Sequence, residues 1–233
     1  MKEELRYSRI EMLPEIGREG VEKLNRGSVL IIGCGALGSL SSMYLAASGV
    51  GTIGLCDFDT IDLSNLQRQL FFDEASLGKS KAGVLRQRME ALNPHTNVRV
   101  YNKMVNEPLA SELFKEYDFI IDGSDNPSTK LMTDRVCAKL GKPYTIGGVK
   151  EFSGQVMSWA PGHKRYSEIF GEIPSCSGFT PCSLAGVLGP AAGVVASVQA
   201  SEAIKYLTEA APLLYDSLFL IDLKNNLSRT FKF

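Results

Sequence analysis

The sequence predicts an α/β protein built on a doubly wound, mainly parallel β-sheet with a C-terminal antiparallel extension. Two observations carry this prediction. Short apolar runs alternate with helical segments between residues 28 and 148, the pattern of parallel strands joined by crossover helices. A glycine-rich turn, Gly33-Cys34-Gly35-Ala36-Leu37-Gly38, separates the first of these runs from the first helical segment. Together they favour a Rossmann-like sheet.

The elements of the parallel part follow in order along the chain. Residues 1–27 are charged and predict a peripheral helical arm with breaks at Pro14 and Gly17. The run at 28–33 is continuously apolar, as expected of a strand covered on both faces. The remaining strands are predicted at 52–57, 97–101, 117–122 and 143–148, and the helices at 36–48, 79–92, 108–116 and 127–140.

The pattern changes after residue 150. A strand at 153–159 is predicted to pair at the far side of the sheet. Residues 160–189 are rich in Pro, Gly and Ser and predict a long loop over the site, because loops of this length in compact domains are usually functional. Pro190 suits the first turn of a helix that reaches about Leu207. Strands near 214–221 and 227–232 then complete one domain, residues 1–233.

Composition excludes several classes of function. The chain has 25 basic and 26 acidic residues, so it lacks the positive charge typical of proteins that bind nucleic acids or anionic membranes. Five cysteines and a charged N-terminus without an apolar signal region indicate reduced thiols and a cytoplasmic protein. No Cys-x-x-Cys pair occurs and there are two isolated histidines, so no zinc is expected.

The glycine turn is the first part of a predicted nucleotide site. Gly33, Gly35 and Gly38 permit a tight turn, and the N-terminus of the following helix offers free N–H groups to an anion. Asp57 ends the second strand, where a carboxylate can bind ribose hydroxyls. Asp59 is a further candidate, although it could instead cap the next turn. A glycine turn alone is also compatible with no ligand, and the acid makes nucleotide binding the stronger interpretation.

A polar segment directly after this acid indicates a ligand with more phosphate charge than a nicotinamide dinucleotide. Asn65, Arg68 and Gln69 lie in the loop, and Lys81 begins the next helix. Arginine offers phosphate a planar fork and lysine a point charge, so two cations at one cleft suit ATP. The neighbouring basic residues are interpreted as a solvated helix face: Lys79, Arg86 and Arg88.

A third group of polar residues follows the strand at 117–122. Asp125 and Asn126 lie at the carboxyl edge of the sheet, where ligands bind in open α/β folds. We expect Asp125 to hold Mg²⁺ against phosphate oxygens and Asn126 to contribute to the same site. Either residue could instead cap the helix at 127–140.

One cysteine is a candidate nucleophile. Cys182 lies in the predicted long loop, where a thiolate could attack an activated acyl group. No histidine or cationic cluster adjoins it to lower its pKa. Cys176 is a weaker candidate, and the other three cysteines are expected to be core residues: Cys34, Cys56 and Cys137.

These motifs resemble those of the ThiF/MoeB/HesA adenylyltransferases, relatives of the ubiquitin-activating enzymes. The resemblance implies that Asp57, Asn65, Arg68, Lys81 and Asp125 contact ATP or its Mg²⁺. It also implies a homodimer in which Arg9 reaches the site of the neighbouring subunit. The matching segments run nearly end to end: Arg6-Tyr7-Ser8-Arg9, Leu13-Pro14-Glu15-Ile16-Gly17, the glycine turn, residues 46–51, residues 62–69, Gly78-Lys79-Ser80-Lys81, Leu92-Asn93-Pro94, Ser124-Asp125-Asn126, Ser153-Gly154-Gln155 and residues 182–190.

The chain departs from that family in its metal ligands. Members commonly carry two Cys-x-x-Cys pairs that bind zinc, whereas residues 162–168 here read Gly-His-Lys-Arg-Tyr-Ser-Glu and no second pair precedes Phe233. The resemblance implies adenylation of the C-terminal carboxylate of a small ubiquitin-like sulfur-carrier protein that ends in Gly-Gly. The alternatives are adenylation of another carboxylate (a peptide or small molecule), an NAD-dependent oxidoreductase, and a carrier-binding protein without turnover.

Overall fold

The computed structural model describes residues 5–171 and 186–233, which form one eight-stranded sheet flanked by helices. The strand order is β3-β2-β1-β4-β5-β6-β7-β8, and the first five of these strands run parallel. The strands are β1 (Ser28–Ile32), β2 (Thr52–Cys56), β3 (Asn97–Tyr101), β4 (Phe119–Asp122), β5 (Tyr144–Lys150), β6 (Ser153–Trp159), β7 (Ser217–Asp222) and β8 (Leu227–Lys232).

Helices cover both faces of the parallel strands, which confirms the doubly wound prediction. In β1 the side chains of Val29 and Ile31 enter one apolar core, while Leu30 and Ile32 enter a second core on the opposite face. The helices are α1 (Ser8–Glu11), α2 (Gly17–Arg26), α3 (Ala36–Ala47), α4 (Lys81–Leu92), α5 (Glu107–Leu113), α6 (Pro127–Leu140), α7 (Tyr166–Phe170) and α8 (Gly189–Thr208). None of the helices in the described part of the chain has both the length and the apolar composition to cross a bilayer.

The last three strands form the predicted antiparallel extension. β6 pairs with β5, β7 with β6, and β8 with β7, each antiparallel. One face of this extension packs against α8, where Val195 lies directly over Gly154 and leaves no space for a Cβ there. The other face carries a cavity, so the extension adds an open surface beside the parallel sheet.

The predicted loop at 160–189 was wrong for the residues of α7. The backbone N–H of Arg165 donates to the Glu168 carboxylate (2.6 Å), and the rings of Tyr166 and Phe170 lie 4.7 Å apart. These local contacts stabilise one short helix. Its buried end is held by Tyr144, whose hydroxyl accepts from the Tyr166 N–H (3.0 Å). This hydrogen bond joins residues 22 positions apart and is a tertiary contact, so the local Pro, Gly and Ser content gave no indication of it.

Candidate functional site

The glycine turn joins β1 to α3 at the carboxyl edge of the parallel strands. Gly33 has a positive φ of 84°, a conformation that favours glycine. A Cβ on Gly38 would overlap the carbonyl oxygen of Gly33, so the helix can start this close to the strand only with glycine. Gly35 precedes the first residue of α3, and no side chain of the described residues caps that helix. Among residues 5–171 and 186–233, the N-terminus of α3 is therefore left uncapped, as an anion site requires.

Asp57 connects this turn to the second strand. Its carboxylate is 8% exposed and accepts hydrogen bonds from the backbone N–H groups of Cys34 (2.5 Å) and Asp59 (2.7 Å). Burial raises the pKa of Asp57, and the two backbone hydrogen bonds partly offset that rise. Each carboxylate oxygen retains lone pairs that can accept from ribose. The predicted ribose acceptor is thus held rigidly beside Gly33 and Gly35.

Lys81 lies close to the acid segment although it follows Asp57 by 24 residues. It is the first residue of α4 and is 6% exposed, and its Nζ lies 2.9 Å from the Asp59 carboxylate. The backbone N–H of Lys81 also donates to the carbonyl of Asp59 (3.1 Å). A lysine at a helix N-terminus opposes the helix dipole. A buried cation in this unfavourable place is consistent with a role in binding an anionic ligand.

The segment between these residues forms a compact turn. The Asn65 side chain accepts from the N–H of Asp62 (3.2 Å), and Asp62 in turn accepts from the N–H of Ser64 (2.8 Å). Arg68 donates one hydrogen bond to the Ser64 carbonyl (2.9 Å), which orients its guanidinium. Gln69 is 3% exposed beside Gly35, and its Oε1 accepts no hydrogen bond from the described residues. This turn places three of the predicted ligand residues along one edge.

The loop after β4 carries the two residues for which both ligand binding and helix capping were predicted. The Asn126 side chain accepts from the Thr129 N–H (2.8 Å) and is the N-cap of α6. Asp125 is exposed, and its carboxylate has no hydrogen-bond partner within residues 5–171 and 186–233. The cap therefore falls to Asn126, and Asp125 remains available to a ligand.

Magnesium fits this arrangement if nucleotide phosphates supply most of its ligands. No group of three or more His, Cys, Asp or Glu side chains in the described ranges could hold a metal by itself. Mg²⁺ is usually bound by one or two carboxylates together with substrate phosphates and water. A single unpaired carboxylate at Asp125 meets that requirement, because the glycine turn and the cations are predicted to hold a triphosphate nearby.

A cavity of about 660 Å³ extends from Asp125 across the open face of the antiparallel extension. Its floor follows one row of paired residues across four strands, from Gly148 through Gln155 and Leu220 to Arg229. Sequence reasoning did not identify this surface, because the row joins residues up to 81 positions apart. The lining also includes Pro127, Lys130, Lys150, Tyr166, Asp222, Leu227 and Phe231.

Arg9 is the predicted residue that the fold does not bring to this edge. It is exposed on α1, where its guanidinium donates to the sulfur of Met12 (3.7 Å). Tyr7, two residues earlier, packs against Gly49 beyond the C-terminal end of α3 and bonds to Asn93 after α4. Since α3 has 12 residues, this end lies roughly 18 Å from the glycine turn. Arg9 cannot reach the site of its own chain from there.

The described cysteines belong to the core, as predicted. Cys34, Cys56 and Cys137 are buried and free, and burial raises the pKa of each thiol. The candidate nucleophile Cys182, like Cys176, lies outside the described residues. Its role therefore stays a prediction.

The fold is that of an open, doubly wound α/β protein. The glycine turn and the acid after β2 lie at the point where the strand order reverses between β1 and β4, which is where ligands bind in this class of fold. The chain belongs to the ThiF family, whose profile matches residues 7–233.

Several relatives are similar over most of this chain. The probable adenylyltransferase/sulfurtransferase MoeZ of Mycobacterium tuberculosis is 40% identical over 226 residues, which are 95% of this chain and 58% of MoeZ. The sulfur carrier protein adenylyltransferase of Thermus thermophilus is 36% identical over 233 residues, 95% of this chain and 84% of that protein. Among solved structures, E. coli MccB with ATP has a TM-score of 0.85 at 24% identity and covers 97% of this chain and 71% of MccB, which supports the fold.

Proposed function

We propose that this chain is an ATP-dependent adenylyltransferase that activates the C-terminal carboxylate of a small ubiquitin-like sulfur-carrier protein. The observation that carries the proposal is the arrangement at the carboxyl edge of the sheet. One side of this edge carries Asp57, Lys81 and the turn that holds Arg68. Asp125 lies in the loop after β4, and the cavity continues from it over the open face of the sheet. This arrangement supports a nucleotide site that adjoins an approach for a second substrate.

In the proposed reaction a carboxylate oxygen attacks the α-phosphorus of ATP. The bond between the α-phosphorus and the bridging oxygen breaks, giving acyl-AMP and pyrophosphate. A carboxylate is already ionised at neutral pH, so no general base is required. Catalysis then depends on positioning and on charge stabilisation. This agrees with a site that contains buried and oriented charges but no histidine among its predicted residues.

Each side chain has a part in that reaction. Asp57 would accept from ribose, the glycine turn and Gln69 would border the phosphates, and Lys81 and Arg68 would neutralise the triphosphate. Mg²⁺ held by Asp125 and phosphate oxygens would supply further charge neutralisation. Asn65 and Asn126 support the two loops through their side-chain oxygens, which leaves their amide N–H groups for the ligand.

The open face of β5 to β8 suits an extended peptide tail. Gly148 and Arg229 are separated by three strand spacings, or about 14 Å, and an extended chain covers about 3.4 Å per residue. About four residues before the terminal carboxylate would therefore cross this face on the way to Asp125. A flexible tail ending in Gly-Gly fits such a narrow approach, since it carries no side chains at its last two positions.

We further propose that the enzyme is a cytoplasmic homodimer in which the partner subunit contributes an arginine. Arg9 is exposed and distant from the site of its own chain, so it could complete a site only across an interface. The names of the relatives support a carrier protein as substrate. The rival is a peptide substrate, since several solved structures of MccB contain MccA. An NAD-dependent oxidoreductase is disfavoured because the relatives are named adenylyltransferases.

Pyrophosphate exchange into ATP tests the proposal. The purified protein is incubated with ATP and labelled pyrophosphate, together with a carrier ending in Gly-Gly, the same carrier with an amidated C-terminus, or a short peptide. We expect exchange only with the free carrier carboxylate. Exchange with the peptide but not with the carrier would support the rival. Exchange with neither, by a folded protein that binds ATP, would contradict adenylation of these carboxylates.

A further inference from the structure

A fork opens in the sheet between β4 and β5. The two strands pair as far as Asp122 and Ile146. β4 then ends and leads into the loop that carries Asp125, whereas β5 continues to Lys150 and pairs only with β6. The carbonyl of Gly147, just beyond the fork, therefore has no strand partner on the β4 side.

Lys130 of α6 fills this fork. Its Nζ donates to the carbonyl of Ser124 (2.6 Å), the carbonyl of Gly147 (2.7 Å) and the carboxylate of Asp122 (3.3 Å). A lysine ammonium has three N–H donors, and all three are used here. The side chain is 7% exposed although it borders the cavity. Lys130 is thus held by the protein itself and has no donor left for a substrate.

Asp122 supplies the countercharge for this buried cation. It is fully buried, and its carboxylate also accepts from the backbone N–H of Ser124 (2.9 Å) and the hydroxyl of Thr133 (2.7 Å). Its backbone carbonyl accepts from Gln199 of α8 (2.8 Å). The loop after β4 is therefore attached to β5, α6 and α8 through one network. A buried network of this kind rigidifies the backbone that it binds.

We propose that Lys130 is a positioning residue for the nucleotide-bound metal. It clamps the carbonyl of Ser124, the residue immediately before Asp125, and so sets the direction in which the Asp125 carboxylate points. This inference rests on the proposed function only in requiring that Asp125 binds Mg²⁺ with ATP. Nothing in the sequence indicated this role, because a lysine in the first turn of a helix such as α6 is expected to be a surface residue.

The test measures binding of a non-hydrolysable ATP analogue with Mg²⁺ and with EDTA. The variants are Lys130→Met, Lys130→Arg and Asp125→Ala, and Lys139→Met, an exposed position on the same helix, is the control. Loss of residues that orient metal ligands typically costs about 10- to 100-fold in metal affinity. We expect Lys130→Met and Asp125→Ala each to lose about tenfold or more of the Mg²⁺-dependent gain in affinity. Lys130→Met should bind the analogue in EDTA as tightly as the wild type does. The control should match the wild type.

Lys130→Arg keeps the proposal testable if Lys130→Met does not fold. A planar guanidinium keeps the charge but cannot point three N–H groups at these acceptors in the same way, so an intermediate loss of the Mg²⁺ gain is expected. A full Mg²⁺ gain in the folded Lys130 variants, or equal losses with and without Mg²⁺, would overturn the positioning role. A wild type with no Mg²⁺ gain would overturn it too. A wild type that shows the gain but no pyrophosphate exchange would contradict the proposed function alone.

Discussion

Lys81→Met separates the role of the buried cation in catalysis from its role in the fold. Methionine keeps most of the volume of the buried stem and removes the ammonium that lies 2.9 Å from Asp59. The lost ion pair should contribute little to stability, because the Asp59 side chain is 48% exposed and pairs of this kind are worth about 0–1 kcal/mol. Removing a cation from a helix N-terminus also relieves an unfavourable dipole interaction of about 0.3–1 kcal/mol.

These two small effects have opposite signs, so the free energy of unfolding should change by less than about 1 kcal/mol. For a chain of this size that corresponds to a melting-temperature shift below about 4 °C. The effect on the reaction should be far larger. A preorganised charge aimed at the transition state is typically worth about 3–4 kcal/mol, or about 10²- to 10³-fold in rate.

The assay compares carrier-dependent pyrophosphate exchange with thermal unfolding for the wild type, Lys81→Met and Lys79→Met. Lys79 is exposed two residues earlier in the chain, so its substitution removes the same charge from a solvated position. We expect exchange to fall at least about 10²-fold only for Lys81→Met. Equal activity of the two variants, with both folded, would refute the assignment of Lys81 to the triphosphate.

Three further predictions follow from the site. Arg68→Ala should lose about 10²-fold or more of the exchange activity and should still fold. Mixing the Arg68→Ala and Arg9→Ala variants under conditions of subunit exchange should restore part of the activity. Mixed dimers that recover no activity would exclude a role of Arg9 in the partner's site. Nucleotide affinity should decrease as the pH falls through the pKa of Asp57, which burial raises above its ordinary value, because protonation removes a ribose acceptor. The ionised carboxylate of Asp57 costs folding stability at neutral pH, and Asp57→Asn should flatten the pH profile of binding. Metal analysis should find no stoichiometric zinc, and one zinc per chain would show that a ligand set was missed.

Local sequence was sufficient for the nucleotide half of the site. Gly33 and Gly38 are only five positions apart, and both must be glycine because the helix starts so close to the strand. Asp57 directly follows an apolar strand. Both features can therefore be recognised from residues that are adjacent in the sequence. The parallel order followed from alternating strands and helices, because crossover connections place all the strand ends at one edge. The fold class was therefore predictable from short-range pattern alone.

Tertiary structure decided which of several similar residues have a place in the site. Three lysines lie near the start of a helix, and the fold treats them differently. Lys79 is exposed and Lys81 pairs with Asp59. Lys130 fills the fork between β4 and β5. Likewise the sequence made Asp125 and Asn126 equivalent candidates for the helix cap, and the hydrogen bond from the Thr129 N–H identifies Asn126 as the cap. Burial and long-range hydrogen bonds assign these roles, and both depend on which distant segments pack together. Local composition carries no information about that packing.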